Sequence, residues 1–217
     1  MLSMASEDAF DPHLVARDTV VDQLDNATQL RLAAQARDVV RQSPLVRPRT
    51  PNGMEMRIMV SAAGALGWVG DGAYRYDPVD SRGKPWPALP EEWAAVADRV
   101  AGRHPWDSAI INWYPPGSSL GWHRDIHEAD RTLPIVTISL GDACSWAIRA
   151  DEESPVCRCR LETGHVTLLA GEKRLWLHTV ERVIRSPMFS PLGGPGRLSI
   201  TIRVAGSTTT TNHQQSE

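Results

Sequence analysis

The sequence is short of basic charge, phenylalanine and long apolar runs, and each shortage limits the kind of protein it encodes. Its 217 residues carry a formal net charge of −3 at pH 7, whereas an extended nucleic-acid coat protein is normally basic. A local basic groove on an acidic body is still compatible with this charge. No apolar run is long enough to cross a membrane, so we expect no membrane partner. With two Phe against eight Trp, each tryptophan is a candidate for stacking on a ligand as well as for packing.

Cysteine is also scarce, and the three residues Cys144, Cys157 and Cys159 are an odd number. The chain starts without a secretory apolar segment, and together these features are typical of a reducing compartment. We therefore expect a cytoplasmic protein. Cys157 and Cys159 are spaced to face the same side of a strand, but one C-x-C without a second pair is weak evidence for zinc. We interpret both as ordinary strand residues.

The length predicts one domain between two loose ends. We expect a loose lead-in over residues 1–20, a single domain over residues 21–206, and a flexible polar tail over residues 207–217. A chain of this size can bury a substantial core without a second domain.

Two helices are predicted in the N-terminal half. The first begins at Asn26, where Asn26 and Gln29 resemble a capping box, and it ends where a proline follows. The second begins at Glu91 after a proline and runs towards Gly102. Residues 45–90 between them are rich in Gly, Pro and Asp, and we expect hairpins and long loops there.

Short segments rich in β-branched and aromatic residues follow, separated by Gly and Pro turns. They are residues 108–114, 134–140, 145–149, 166–170, 176–183 and 197–204. Many short strands with turns between them are typical of a sandwich or jelly roll. The expected fold class is α+β with a mainly β core, in which the jelly roll spans about residues 105–206 and the helices pack outside.

His123 and Asp125 are the first candidates for a metal site. In an extended chain residues two apart point to the same side, so both side chains can reach one ion while Arg124 points away. Two His and one carboxylate suit non-haem iron(II), whereas a further His with a Glu or Asp suits zinc. His-x-Asp is common by chance, and a solvated pair in a loop is the alternative.

His178 is the candidate for the third ligand because it interrupts an apolar, strand-like run. His165 and His127 are its rivals. A histidine satisfied within the core is the alternative interpretation of His178.

The last predicted strand places four polar residues on one face, namely Arg197, Ser199, Thr201 and Arg203. Burying two arginines costs free energy unless an anion meets them. A dicarboxylate such as 2-oxoglutarate fits, because planar guanidinium groups suit carboxylates. The alternative is an edge strand whose polar face lies in water.

The chain from Asn26 to Val204 resembles the AlkB family of 2-oxoglutarate/Fe(II) dioxygenases, because several motifs occur in the family's order with similar gaps. They are Leu66-Gly67-Trp68, residues 84–88 (Lys-Pro-Trp-Pro-Ala), residues 111–117 (Ile-Asn-Trp-Tyr-Pro-Pro-Gly), His123-x-Asp125, residues 138–141 (Ile-Ser-Leu-Gly), Gly171-Glu172-x-Arg174 before His178, and the closing Arg197-x-x-x-Thr201-x-Arg203. The resemblance implies a double-stranded β-helix (jelly roll) with N-terminal helices and a nucleotide-recognition lid at about residues 45–90. It also implies that His123, Asp125 and His178 bind iron.

The same resemblance implies the site of the co-substrate. Arg197 would hold the distal carboxylate of 2-oxoglutarate, helped by Tyr114, while Arg203 and Asn112 would hold the keto-acid end. Ser199 stands where the family usually has an asparagine that assists the arginine. We expect this difference to weaken, rather than abolish, co-substrate binding.

The implied reaction is oxidative N-dealkylation of alkylated bases, such as 1-methyladenine or 3-methylcytosine, with Fe(II), 2-oxoglutarate and O₂. The implied partner is alkylated single- or double-stranded DNA or RNA, and we expect a monomer. Trp68 corresponds to an aromatic residue that stacks near the damaged base, and Tyr74 lies in the lid. His127 stands where repair members commonly have an acidic residue that helps to read the base.

Two alternatives stay open. One is the same chemistry on a free nucleoside or another small molecule, favoured by His127 and by the absence of a basic excess. The other is a catalytically silent nucleic-acid-binding module, which the complete set of candidate ligands speaks against. Basic residues gathered along one groove beside the metal would favour a nucleic-acid strand; the residues in question are Arg57, Arg75, Arg82, Lys84 and Arg124.

Overall fold

Two facing antiparallel sheets and three α-helices account for most of the chain that the computed structural model describes, residues 12–186 and 189–206. The helices are α1 (Pro12–Arg17), α2 (Asn26–Gln42) and α3 (Glu91–Ala101). The strands are β1 (Val20–Gln23), β2 (Met59–Gly64), β3 (Gly67–Gly70), β4 (Tyr74–Asp77), β5 (Ser108–Tyr114), β6 (Leu120–His123), β7 (Ile135–Gly141), β8 (Ala143–Arg149), β9 (Cys157–Leu161), β10 (His165–Leu169), β11 (Leu177–Ile184) and β12 (Arg197–Arg203). A 3-10 helix spans Gly171–Leu175.

The larger sheet has the strand order β1-β10-β7-β12-β5-β2, and the smaller has the order β6-β11-β8-β9. Consecutive strands therefore alternate between sheets over much of the C-terminal half, as in a jelly roll. The predicted mainly β fold is confirmed, and all six predicted strands are present with ends shifted by at most two residues. The short strands β1 and β6 were not predicted, and β9 was indicated only through the interpretation of Cys157 and Cys159 as strand residues.

Two expectations for the N-terminal region need correction. Helix α1 occupies Pro12–Arg17, within the segment expected to be a loose lead-in; residues 1–11 and the expected tail lie outside the described residues. The cap of α2 is Asp25 rather than Asn26, because the Asp25 carboxylate accepts a hydrogen bond from the Thr28 backbone N–H at 2.7 Å. A carboxylate at this position also favours the positive end of the helix. The domain limits 21–206 and the lid limits 45–90 stay predictions.

Helices α2 and α3 cover the outer face of the larger sheet. Their buried residues, which include Leu32, Val39 and Trp93, form one apolar cluster with Ile200 and Ile202 of β12. A second apolar cluster is separate from the first and contains residues of both sheets. Removing apolar side chains from water on both sides of the larger sheet fixes the strands that carry the site. Among the described residues, no helix is long and apolar enough to cross a membrane.

The position of β12 contradicts the edge-strand alternative. This strand lies inside the larger sheet, paired with β5 on one side and β7 on the other, and all seven of its residues are buried. Its two arginines are therefore not in water. They lie in the interior, where their charge needs a partner.

The hairpin of β3 and β4 carries three of the four aromatic residues of the 45–90 segment. Trp68 pairs across the hairpin with Tyr76, and Gly70 pairs with Tyr74. Because alternate residues share a face, Trp68, Tyr74 and Tyr76 lie on the same side of this hairpin. Gly67 lies against Trp86 so closely that a Cβ atom would be 2.2 Å from that ring, which explains the glycine before Trp68.

Candidate functional site

Strand pairing brings His123 and His178 together. His123 is the last residue of β6, and His178 lies directly opposite it on the antiparallel strand β11. The centroids of the two imidazole rings are 4.3 Å apart. Two residues that are 55 positions apart in the chain therefore become neighbours through the pairing of β6 with β11.

Asp125 completes the group two residues after β6 ends. One ligand atom from each of His123, Asp125 and His178 lies within 4.8 Å of the others, and the His178 Nε2 to Asp125 Oδ2 distance is 3.7 Å. Burial acts to raise the pKa of the Asp125 carboxyl, but Arg203, His178 and His123 together outweigh burial and lower that pKa well below its usual range. Asp125 is thus a carboxylate at any physiological pH.

Both imidazoles are oriented by the backbone. His123 Nδ1 lies 2.8 Å from the Gly121 carbonyl oxygen, and His178 Nδ1 lies 3.1 Å from the Trp176 carbonyl oxygen. A carbonyl only accepts, so each Nδ1 carries the proton and each Nε2 presents its lone pair. Burial, and then His123, lower the pKa of His178 to about 4, which keeps this ring neutral. Two imidazole Nε2 atoms and one carboxylate are a donor set that suits iron(II).

The two rival histidines lie elsewhere. His165 begins β10, and its Nδ1 accepts a hydrogen bond from the Glu162 backbone N–H within a turn. His127 faces the same cavity as Asp125 but makes a ring contact with Tyr74 instead. Within the described residues, the one group of three potential metal ligands is His123, Asp125 and His178. Cys157 and Cys159 belong to strand β9, consistent with their interpretation as strand residues.

A cavity of about 400 Å³ contains this group. Its walls come from both sheets and from the β3–β4 hairpin. The predicted site residues all line it, namely Trp68, Tyr74, Asn112, Tyr114, His123, Asp125, His127, His178, Arg197, Ser199 and Arg203.

Arg197 is buried in this cavity with most of its donors unused. It is 1% exposed, and its Nη2 donates to Ser139 Oγ at 2.8 Å. Its Nε and Nη1 are buried and have no hydrogen-bond partner among the described residues. The Tyr114 ring, directly opposite on β5, has its centroid 6.0 Å from the guanidinium carbon. Burial raises the pKa of Tyr114 to about 12, so its phenol remains a donor.

Arg203 lies at the other end of the same strand face. Its Nη1 is 3.1 Å from Asp125 Oδ1, and its Nε is also buried without a partner in the described chain. Between the arginines, Ser199 Oγ accepts a hydrogen bond from Asn112 Nδ2 at 3.4 Å. Unused guanidinium donors at both ends of one buried strand match a dicarboxylate, because each carboxylate satisfies donors that otherwise cost free energy.

Three rings line the cavity near the metal-ligand candidates. The Trp68 and Tyr74 ring centroids are 5.1 Å apart, and His127 meets Tyr74 edge to face at 5.7 Å. Trp68 and Tyr74 are partly buried and His127 is exposed, as expected at the mouth of a cavity. A planar aromatic ligand of the size of a base can stack on such a surface.

Sequence reasoning missed Glu128, Tyr76 and Arg174. Glu128 is buried beside Asp125 and contacts both of the others. The available signal was weak: a carboxylate follows His127, and an arginine sits inside the Gly171-Glu172-x-Arg174 motif. Neither feature shows that the two side chains meet in the interior.

The basic residues do not gather along the cavity. Of the five named above, Arg124 lines it, and its guanidinium braces the Leu175 and Ala150 carbonyls at 2.8 and 3.0 Å. Arg75 pairs with Asp71, and Arg82 pairs with Asp80. The other four are not among the residues that line the cavity.

Known proteins resemble this chain over most of its length. The family model of the 2OG-Fe(II) oxygenase superfamily matches residues 19–203. An alpha-ketoglutarate-dependent dioxygenase AlkB homolog of Caulobacter vibrioides (strain NA1000 / CB15N) is 34% identical over 189 residues, which cover 84% of each chain. The alpha-ketoglutarate-dependent dioxygenase AlkB of Escherichia coli (strain K12) is 34% identical over 184 residues, covering 81% of this chain and 84% of that one. The solved structure of OsALKBH1 superimposes with a TM-score of 0.70 at 21% identity, over 83% of this chain and 92% of that chain, which supports the fold.

Proposed function

Because the chain belongs to the 2OG-Fe(II) oxygenase superfamily, and within it to the AlkB dioxygenases, we propose that it oxidatively removes alkyl groups from the nitrogen atoms of nucleic-acid bases. The chain is a 2-oxoglutarate-dependent dioxygenase, so Fe(II) and 2-oxoglutarate belong to its chemistry. O₂ is the proposed oxidant. We also propose that it works as a monomer in a reducing cytoplasm.

The proposed iron ligands are His123, Asp125 and His178. Their donor atoms converge, and both imidazoles are fixed with Nε2 available. Iron(II) bound there, with 2-oxoglutarate and O₂, would supply an oxidative decarboxylation that yields succinate and CO₂ and hydroxylates the alkyl carbon of the substrate; that carbon would then leave the base nitrogen as an aldehyde.

The proposed 2-oxoglutarate site lies along β12. Arg197 offers Nε and Nη1 to the distal carboxylate, and the protonated phenol of Tyr114 donates beside it. Arg203 and Asn112 serve the keto-acid end. Ser199 accepts from Asn112, so the serine keeps this amide in place where the family has an asparagine. These contacts would orient the co-substrate beside the proposed metal ligands.

The proposed base site is the surface of Trp68, Tyr74 and His127. A base inside a duplex cannot reach a cavity enclosed by two sheets and a hairpin, so a flipped base or a single strand is required. Stacking on aromatic side chains then contributes about 1–3 kcal/mol per base.

One observation carries the proposal: the His-Asp-His group, the unpartnered donors of Arg197 and Arg203, and the aromatic surface all line the same cavity. A dealkylase needs a metal, a co-substrate and a base within reach of one another. A silent binding module has no need for the first two.

The direct test is to incubate the protein with Fe(II), 2-oxoglutarate, ascorbate and a single-stranded oligonucleotide bearing 1-methyladenine or 3-methylcytosine. We expect the intact mass of the oligonucleotide to fall by one methyl group, and His123→Ala to abolish this loss. Loss of the methyl group from the free nucleoside alone would move the proposal to small-molecule substrates. This comparison with the free nucleoside is necessary because, of the five candidate basic residues, Arg124 alone lines the cavity.

Replacing Trp68 by Ala removes the stacking surface and is expected to raise KM for the methylated oligonucleotide. A loss of about 1–3 kcal/mol corresponds to a change of about 5- to 150-fold. Trp68→Phe keeps an aromatic face and should retain most of the affinity. KM for 2-oxoglutarate should stay the same in both variants, and an equal rise in the two KM values would contradict stacking as the role of Trp68.

His127 is expected to determine which alkylated bases are accepted. Imidazole both donates and accepts hydrogen bonds, whereas a carboxylate only accepts. His127→Asp should therefore favour 3-methylcytosine, which presents an exocyclic amine, over 3-methylthymine, which presents a carbonyl. We expect the ratio of the two kcat/KM values to rise roughly tenfold, the value of one added or lost base contact. An unchanged ratio would show that His127 does not contact the base edge.

A further inference from the structure

Glu128 is a buried carboxylate that the reaction described above does not use. Its side chain is 1% exposed and lies three residues after Asp125, where the chain has left strand β6. Burial acts to raise its pKa, but the charge and hydrogen bond of Arg203, together with a backbone hydrogen bond, lower that pKa overall, so Glu128 is ionised. A buried negative charge is stable only when other groups pair with it.

Two arginines provide that pairing, and both also hold Asp125. Arg203 Nη1 is 2.5 Å from Glu128 Oε1 and 3.1 Å from Asp125 Oδ1, so one nitrogen is shared between the two carboxylates. Arg174 Nη2 is 3.1 Å from Glu128 Oε2, while Arg174 Nη1 donates to the Asp125 backbone carbonyl at 2.8 Å. Two positive and two negative charges thus form one balanced cluster.

The third contact of Glu128 reaches the hairpin. Tyr76 Oη donates to Glu128 Oε1 at 2.9 Å, on the same oxygen that Arg203 binds. Burial raises the pKa of Tyr76 well above its ordinary value, so the phenol remains a donor. Tyr76 lies opposite Trp68 on the hairpin. Glu128 is therefore the point where the aromatic wall of the cavity meets the carboxylate cluster.

We propose that Glu128 is a positioning residue that couples the β3–β4 hairpin to Asp125, acting through Tyr76 on one side and Arg203 on the other. Glu128 and Asp125 compete for the same guanidinium nitrogen. Whatever changes the charge on Glu128 Oε1 therefore changes how strongly Arg203 holds Asp125, and hence how much of its negative charge Asp125 offers to a metal. The inference rests on the proposed role of Asp125 as a metal ligand, and it does not depend on which substrate is dealkylated.

The coupling predicts the direction in which each variant changes the metal affinity. Glu128→Gln removes the competitor, so Arg203 pairs with Asp125 alone and metal affinity falls, by roughly the 10–100-fold typical of groups that support a metal ligand. Tyr76→Phe removes a donor from Glu128, so Glu128 holds Arg203 more firmly and Asp125 is freer. Metal affinity should then rise severalfold, although Tyr76 is not a ligand.

The experiment measures Co(II) affinity of the whole protein by isothermal titration calorimetry and by the visible absorption of the bound ion. It uses the native protein, Tyr76→Phe, Glu128→Gln and the double variant. Tyr74→Phe is the matched control, because it removes a hydroxyl from the same hairpin, at a residue whose contacts described above are ring contacts with Trp68 and His127. We expect the shift caused by Tyr76→Phe to disappear when Glu128 is also replaced, and Tyr74→Phe to cause no shift.

A rise in Co(II) affinity caused by Tyr76→Phe that disappears when Glu128 is also replaced supports the coupling, whereas a fall in affinity overturns it. The coupling is also overturned if Tyr76→Phe changes Co(II) affinity equally in the native protein and in the Glu128→Gln variant, or does not change it at all. If Glu128→Gln fails to fold, equal Co(II) affinities of Tyr76→Phe and Tyr74→Phe still overturn it. Native protein that takes up no Co(II) overturns the proposed metal site as well, whereas uptake that Asp125→Ala abolishes leaves that site intact whatever the coupling.

Discussion

Replacing His178 by Ala is expected to lower the rate of succinate formation by more than about 100-fold, because a lost ligand costs more than the 10–100-fold typical of a lost supporting group. The variant removes one of three converging donors and leaves a cavity beside Asp125. It also takes away the imidazole that is oriented by the Trp176 carbonyl. The measurement combines succinate release with the iron content of the purified protein.

His165→Ala is the matched control for this prediction, since His165 was a rival candidate and lies in a turn next to Glu162. It should keep its iron and its activity. Circular dichroism on both variants separates loss of metal from loss of fold. Full activity in folded His178→Ala, or a comparable loss in His165→Ala, would contradict the ligand assignment.

Replacing Arg197 by Met is expected to raise KM for 2-oxoglutarate by about 100-fold or more. Methionine has nearly the length of arginine but offers no donor, so the distal carboxylate would enter a buried site without a counter-charge. Breaking a buried ion pair by removing one partner costs about 3–5 kcal/mol, which corresponds to a change of at least 100-fold. Steady-state kinetics with varied 2-oxoglutarate measure it.

The control is Arg160→Met, which removes an exposed arginine of β9 that pairs with Glu162. Surface pairs of this kind contribute little, so KM should not change. Metal affinity of Arg197→Met should also stay close to the native value, because Arg197 is not among the groups that contact Asp125. A KM for 2-oxoglutarate unaffected by Arg197→Met would place the co-substrate elsewhere.

The alternation of β12 could be read from the sequence, but its burial could not. Residues 197, 199, 201 and 203 share a face by the geometry of any strand. Whether that face met water depended on which strands flanked β12, and on α2 and α3 covering the opposite face. Those contacts are between residues far apart in the chain, so the sequence left the edge-strand alternative open.

The candidate site likewise contains residues that the sequence pattern predicts and residues that it does not. His123 and Asp125 were found by their spacing, because the chain is extended up to His123 and the next residues continue the alternation. Extending that alternation points His127 inward and Glu128 outward. The chain leaves the extended form near residue 128, so Glu128 turns into the core and meets Arg203. A rule based on period two cannot anticipate a bend, and the carboxylate cluster was missed for that reason.

The helix cap illustrates a smaller failure of the same kind. Asn26 and Asp25 both suit a cap, and the sequence pattern favoured Asn26 because of Gln29. In the structure Gln29 is buried and donates to the Leu24 carbonyl at 2.8 Å, while Thr163 donates to its side-chain oxygen. Because Gln29 forms these hydrogen bonds, its side chain does not form the capping box with Asn26.

The proposed dealkylation is tested most directly by measuring, in one reaction, how much succinate is formed and how much base is demethylated. Iron-loaded protein would receive limiting 2-oxoglutarate and an excess of single-stranded oligonucleotide bearing 3-methylcytosine. If the chain is an oxidative dealkylase, we expect equal amounts of succinate and demethylated oligonucleotide. We expect neither product from His123→Ala. Succinate without any demethylated base would contradict the proposal that the surface of Trp68, Tyr74 and His127 receives an alkylated base.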